Sequence, residues 1–200
     1  MEFSMKNKFT NPLSRRLFVA GGMSMLAAPA LAQATRDDGL QGTEQRPTHN
    51  FFTYRGRDWK GYFNNLRKHA ILVDIDSRAL HFWHENGEDY RIYPTSVPLT
   101  EDLTRRGRTS VVRKVEGPEW RPTPAMLQRN PDLPEYIGPG PENPLGTHAL
   151  YLGWTYYRIH GTNDIRKIGR QSSSGCIGLY NEHIVDIFSM AKVGTQVLLI

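Results

Sequence analysis

Between residues 70 and 93 the apolar positions come in short bursts separated by turn residues. Ala70-Ile71-Leu72-Val73-Asp74-Ile75 is a β-rich run, and Asp76-Ser77-Arg78 interrupts it. Leu80-His81-Phe82-Trp83-His84 follows. Asn86-Gly87, a strong hairpin signal, then leads to Tyr90-Arg91-Ile92-Tyr93. Strict alternation places His81 and His84 on opposite faces, which argues against a shared metal site. Before this meander, Trp59, Tyr62, Phe63 and Leu66 recur at helical spacing and predict a short helix over Trp59–Lys68. After it, residues 94–146 are rich in Pro and Gly, with a β-segment near Ser110–Val115 and then a long excursion. A loop of that length belongs over a cleft or on the surface. Strands resume at Thr147–Leu152 and Thr155–His160, with Gly153-Trp154 as the turn. Asn181 reads as the N-cap of a helix whose stripe is Ile184, Ile187, Phe188 and Ala191. Gly194 ends that helix, and Val197-Leu198-Leu199-Ile200 is a closing strand. The pattern is mainly β, with one or two short helices, a long Pro/Gly-rich loop and no internal repeat.

The first 32 residues follow another rule. Ser14-Arg15-Arg16-Leu17-Phe18-Val19 is a twin-arginine pattern, Leu17–Ala32 is apolar and small, and Ala30-Leu31-Ala32 is a small-x-small cleavage site. Residues 1–32 are expected to be a Tat-type signal peptide, and 33–55 a polar arm. The working domain is then 56–200, exported to the periplasm, with no membrane span left after cleavage. The leader holds Lys6, Lys8, Arg15 and Arg16 against Glu2, so its removal takes the formal charge from +5 to +2. So small a charge gives no support for a nucleic-acid partner.

Cys176 is the only cysteine, so an exported chain cannot close an internal disulfide with it. It is either a small buried hydrophobe or a working thiol. Its surroundings favour the second. Ser172-Ser173-Ser174-Gly175 is a small, flexible approach whose N–H groups can converge on an oxyanion. His160 lies sixteen positions upstream at a strand end, followed by Gly161. Such a pair allows thiolate attack on a carbonyl, with imidazole moving the proton.

The run His160-Gly161-Thr162-Asn163, Ile168-Gly169, Ser173-x-Gly175-Cys176-Ile177, Asn181 and Val193-Gly194-Thr195-x-Val197 resembles the signature of the L,D-transpeptidase catalytic domain, the YkuD family. Asn143-Pro144-Leu145-Gly146 and the hairpin from Ile71 to Tyr93 are similar to it as well. The motif core spans 143–200 within a resemblance over roughly 70–200. The resemblance implies a β-sandwich-like fold, a peptidoglycan stem-peptide substrate and no cofactor. It implies Cys176 as nucleophile, His160 as base, the Gly161 carbonyl as the group orienting the imidazole, and Ser173 as support for the turn or for His160. The N–H groups of Ser174, Gly175 and Cys176 would form the oxyanion hole. The reaction implied is attack at a diaminopimelate carbonyl, release of D-alanine, and transfer of the thioester acyl group to an amine. A stem amine as acceptor gives a cross-link, an outer-membrane protein amine gives anchoring, water gives carboxypeptidase activity, and a D-amino acid gives exchange.

The chain departs from the pattern at three positions. Ser174 stands where most members have His, Gly178 where many have Arg or Asn, and His183 where an acid is frequent. An Arg at 178 would offer a forked grip on a carboxylate. Arg158, Arg166, Lys167 and Arg170 are the nearby candidates to replace it, and His183 is expected to be exposed. Trp120, Tyr136, Tyr156 and Tyr157 are candidates to line a cleft, Trp120 first among them. A competing reading of another class is an exported metal-binding protein using His148, His160, Cys176 and His183.

Overall fold

The structure is a computed structural model, and it describes residues 55–200. The expected signal peptide, and the arm up to residue 54, lie outside the described residues.

The β-rich runs between turn residues form strands as expected. β1 (Ala70–Asp74), β2 (Ala79–Trp83) and β3 (Tyr90–Pro94) make the antiparallel meander. Every residue of β1 and β2 is buried, because both faces of these strands are covered. Ile71, Val73, Leu80 and Phe82 point into the main core; Ala70, Leu72 and Trp83 face the other way, onto Phe63 and Leu66. The aromatics upstream of β1 are therefore a cover for the sheet's second face, as their apolar character demands. They do not build the helix expected over 59–68. Only a 3-10 turn, Trp59–Gly61, forms, and Lys68 and His69 adopt φ of 59° and 70° to swing the chain into β1. A helix cannot continue through such positions.

The excursion after β3 is more structured than its composition suggests. It holds β4 (Val97–Pro98), the ten-residue β5 (Gly107–Glu116) and α1 (Pro124–Arg129). α1 starts where Thr123 Oγ1 accepts from Met126 N–H and proline occupies the first turn. The segment is tied down at two points. Trp120 and Ile137 exchange both backbone hydrogen bonds at 2.9 Å. Buried Asn143 donates to the carbonyls of Pro118 and Gly138, at 2.7 and 2.9 Å, and accepts from Leu145 N–H.

The remaining elements are β6 (His148–Leu152), β7 (Arg158–His160), β8 (Gln171–Ser173), β9 (Ile177–Gly178), α2 (Asn181–Met190) and β10 (Gln196–Leu199). β7 is shorter than expected because the turn extends through Tyr156, which sits at φ 66°. Eight strands form one curled sheet in the order β3-β2-β1-β10-β5-β6-β7-β9, and β4 pairs with β8 alone. The fold is mainly β, as expected. α2 lays Ile184 and Ile187 into the core. Its helix ends at Met190, before Gly194, and Lys114 Nζ donates to the carbonyls of Phe188 and Ala191 at 2.6 Å each. A cation on these final carbonyls opposes the helix dipole.

Candidate active site

Two parallel strands bring the distant motif halves together. β7 and β9 pair with Ile159 opposite Ile177 and His160 opposite Gly178. Stepping back one residue sets Arg158 beside Cys176. Alternation then puts Arg158, His160, Cys176 and Gly178 on one face. His160, Cys176 and Arg158 line a common cavity of about 150 Å³. The Pro-rich excursion supplies a second wall through Trp120, Arg121, Met126 and Leu145.

His160 is buried, and its Nδ1 lies 2.5 Å from the Gly161 carbonyl oxygen. That contact assigns the proton to Nδ1 and leaves Nε2 as the basic nitrogen. Burial lowers the His160 pKa to about 4, the Gly161 carbonyl opposes this, and Arg158 and Lys167 lower it further. Burial pushes the Cys176 thiol up, while the positive charge of Arg158 pulls it down. The half-buried thiol also donates to the Tyr156 carbonyl at 3.2 Å. The positive φ of Tyr156 is therefore part of the turn that aims this carbonyl at the sulfur. Thiol and imidazole rest as a neutral pair at neutral pH.

The buried histidines carry a consequence for stability. His81, also buried, is lowered to about 4 by desolvation and by the Arg57 charge. The unfolded chain binds these protons near pH 6.5 and the folded chain only near 4. Stability is thus complete above about pH 6.5 and falls as the pH drops toward 4, by up to about 3 kcal/mol per histidine. Denaturant titrations at pH 7 and pH 4.5 should show a clear loss of stability at the lower pH. The parent should lose more than a chain carrying His81→Phe.

Ser173 braces the turn before the thiol. Its Oγ donates to the Cys176 carbonyl at 2.5 Å, and it accepts from Gly175 N–H at 3.4 Å. Of the three N–H groups expected at an oxyanion hole, that of Gly175 is thus turned to Ser173, while Ser174 lines the cavity. Gly175 takes φ 124°, a value side chains disfavour.

Asn181, read from sequence as a helix cap, has another task. Tyr180 takes the cap position, and its side chain does not cap the helix. Asn181 Oδ1 accepts from Thr147 and Thr162 N–H at 3.2 Å each, and Nδ2 donates to the Thr162 carbonyl at 3.0 Å. It ties Thr162, which follows His160-Gly161, to Thr147 just ahead of β6. A Cβ at Gly161 would stand 2.1 Å from Asn181 Oδ1, which is why glycine follows the histidine.

Glycine at 178, where the resemblance led to Arg or Asn, has a physical reason. Ser96 and Gly178 exchange backbone hydrogen bonds at 2.8 and 3.1 Å, and Ser96 Oγ lies 2.3 Å from where a Cβ at 178 would stand. Ser96, unremarkable in sequence, is buried there and lines the cavity. Gly178→Ala is expected to lose about 1–2 kcal/mol, and Ser96→Gly in the same chain to recover most of it. Unfolding curves of the parent, both single variants and the double variant measure this coupling. Additive losses would contradict it.

Of the cationic candidates, Arg158 and Lys167 line the cavity and Arg166 and Arg170 do not. Arg166 forks onto Asp164 at 2.7 and 3.0 Å, held by its own loop, and Arg170 is exposed. Arg121, with no signal in the sequence, takes a place in the cavity. Trp120 and Tyr156 line it; Tyr136 instead carries the Arg121 guanidinium 4.5 Å above its ring, and Tyr157 donates to the Leu103 carbonyl. His183 is not exposed as expected: its ring packs 5.1 Å from that of Tyr93. Among the described residues no group of three or more His, Cys, Asp or Glu is placed to hold a metal ion, so the four-residue metal reading fails. His148 packs on Phe188 instead. No helix among them is long and apolar enough to cross a membrane.

The chain is similar to known proteins over most of its length. A relative in Fuscovulum blasticum, named for L,D-transpeptidase and for ORF 5 of the ATP synthase subunits region, is 50% identical over 192 residues. The alignment covers 96% of this chain and all of the relative. The Escherichia coli protein named L,D-transpeptidase ErfK/SrfK is 34% identical over 142 residues, covering 68% of this chain and 45% of its own length, so this chain spans under half of it. The solved L,D-transpeptidase 3 from Mycobacterium tuberculosis shares the fold at a TM-score of 0.53 and 14% identity, over 66% of this chain and 61% of that one. The L,D-transpeptidase catalytic domain of the YkuD family matches residues 68–199, and the chain belongs to that family of cysteine-dependent acyltransferases.

Proposed function

We propose that the protein is a periplasmic peptidoglycan L,D-transpeptidase in which Cys176 is the nucleophile and His160 the base. The observation that carries this reading is the pairing of β7 with β9, which sets a Gly161-anchored imidazole and a lone thiol in one cavity. His160 Nε2 takes the thiol proton as sulfur attacks the diaminopimelate carbonyl of a tetrapeptide stem. The N–H groups of Ser174, Gly175 and Cys176 hold the oxyanion, Gly175 after leaving Ser173. The imidazolium gives its proton to the departing amine of D-alanine, leaving a thioester. An acceptor amine then attacks the thioester, His160 removes its proton, and the thiol is restored.

The low His160 pKa leaves Nε2 unprotonated at neutral pH, and the proton transfer is driven by its concert with attack on the carbonyl. Arg158 is the cation that favours the thiolate, which burial alone disfavours. Trp120 forms an apolar wall for the stem. The twin-arginine leader supports export by the Tat route. An outer-membrane protein amine fits the same chemistry as acceptor.

The test is incubation with defined tetrapeptide muropeptides and mass identification of the products. Cross-linked dimer with loss of D-alanine is expected. Recovery of unchanged muropeptide alone would refute the reading. Tripeptide from hydrolysis or a D-amino acid exchange product in place of the dimer would retain the thioester chemistry and change the acceptor.

A further inference from the structure

Beside the catalytic cavity lies a second concavity of about 450 Å³, lined by Arg113, Arg121, Arg158, Tyr151 and Glu119 among others. It shares Arg121 and Arg158 with the catalytic cavity. Its floor is a row across three strands: Arg113 of β5 is opposite Tyr151 of β6, and Tyr151 is opposite Arg158 of β7. The two guanidinium carbons lie 3.8 and 5.0 Å from the centroid of that one tyrosine ring. The ring positions both cations by cation–π contact.

What these arginines lack is an acid. The ion pairs among the described residues engage Arg57, Arg91, Arg106, Arg166 and Lys192, and none of the three groove arginines. Arg158 Nε is shielded from solvent and has no hydrogen-bond partner. Glu119 is the one acid lining the groove; it is exposed and makes no ion pair, so the groove keeps a positive excess. Three cations sharing a groove with one exposed, unpaired acid still repel one another, and a bound anion relieves that repulsion.

From this row we infer that the Arg113–Tyr151–Arg158 groove, closed by Arg121, is a carboxylate-binding subsite for the donor peptide stem. This rests on the stem-peptide substrate proposed above. A guanidinium fork matches a carboxylate with two parallel hydrogen bonds. Arg158 lines the catalytic cavity together with Cys176 and also stands over the Tyr151 ring in the groove, so a stem acylating Cys176 has its carboxylates within reach of the groove. The positive charge absent at Gly178 is thus supplied two residues before the histidine.

The test is calorimetric binding to the full chain carrying Cys176→Ala, which prevents turnover. The probes are a tetrapeptide stem with free carboxylates and the same stem with its carboxylates converted to amides. The free acid should bind about ten-fold more tightly than the amide, and added salt should shrink the difference. Arg113→Gln, at an exposed strand position outside the catalytic cavity, should abolish the preference. Arg113→Lys should keep part of it. Equal binding of the two probes, no binding of either, or a preference that survives Arg113→Gln would overturn the subsite. Thioester formation by the intact protein is scored separately by mass. A thioester without carboxylate preference removes the subsite and leaves the transpeptidase; preference without a thioester does the reverse.

Discussion

Cys176→Ala yields no cross-linked product from tetrapeptide muropeptides, a loss of more than about 10⁴-fold, while the protein folds as before. The thiol is the one group in the cavity able to carry an acyl chain through a thioester, and alanine cannot substitute for it. The structural cost is small. Sγ donates one hydrogen bond, to the Tyr156 carbonyl, at the cavity rim. Its loss is worth about 1 kcal/mol. Thermal melting therefore changes little while activity vanishes. A carbapenem gives a second readout, because its strained carbonyl offers the same electrophile. The parent should gain the drug's mass and the variant should not. Product formation at the parental rate by Cys176→Ala would remove the thiol from the mechanism.

Among single substitutions the largest expected loss of stability comes from Gly146→Ala. Gly146 sits at φ 62°, and a Cβ there would lie 2.4 Å from Thr162 N, 2.6 Å from the Gly161 carbonyl carbon and 2.2 Å from Asn181 Oδ1. Two of these atoms are backbone, so no rotamer change relieves the overlap. Left-handed strain and forced displacement together cost about 3 kcal/mol, which for a domain of this size lowers the melting temperature by roughly 10 °C. The displaced backbone is also the one that orients His160 through its Nδ1. Activity measured well below both melting temperatures should fall too, in kcat more than in KM. Gly61→Ala is the control, since a Cβ there meets nothing within 4 Å. An unchanged melt for Gly146→Ala would mean the loops around Asn181 are looser than their contacts imply.

The meander and β5 were legible because short β-rich runs stand between turn residues, and α2 because its apolar stripe recurs at helical spacing. The helix expected at Trp59–Lys68 was not, because spacing records which side chains are apolar and not which backbone they sit on. Those aromatics cover a sheet face from an irregular segment, and positive φ at Lys68 and His69 turns the chain into β1. Asn181 misled for a related reason. Its side chain has a stronger use across the fold than at its own helix end. Arg166 and Arg121 show the same limit in the cavity. Nearness along the chain favoured Arg166, which its own loop retains through Asp164, whereas Arg121 arrives from the Pro-rich excursion.

A lone cysteine, a histidine sixteen positions away and the glycines around them offer a candidate nucleophile and base without coordinates, and the resemblance of the surrounding motif gives them their proposed roles, because nucleophile, base and tight turns each demand a particular residue type. Their arrangement belongs to long-range pairing. Only the parallel register of β7 with β9 puts thiol and imidazole on one face. Only the approach of Ser96 explains why position 178 holds no side chain. The row of Arg113, Tyr151 and Arg158 crosses three strands, so no local pattern announces it. Local chemistry is written in residue types, whereas charge placement depends on which strands the core's burial brings side by side.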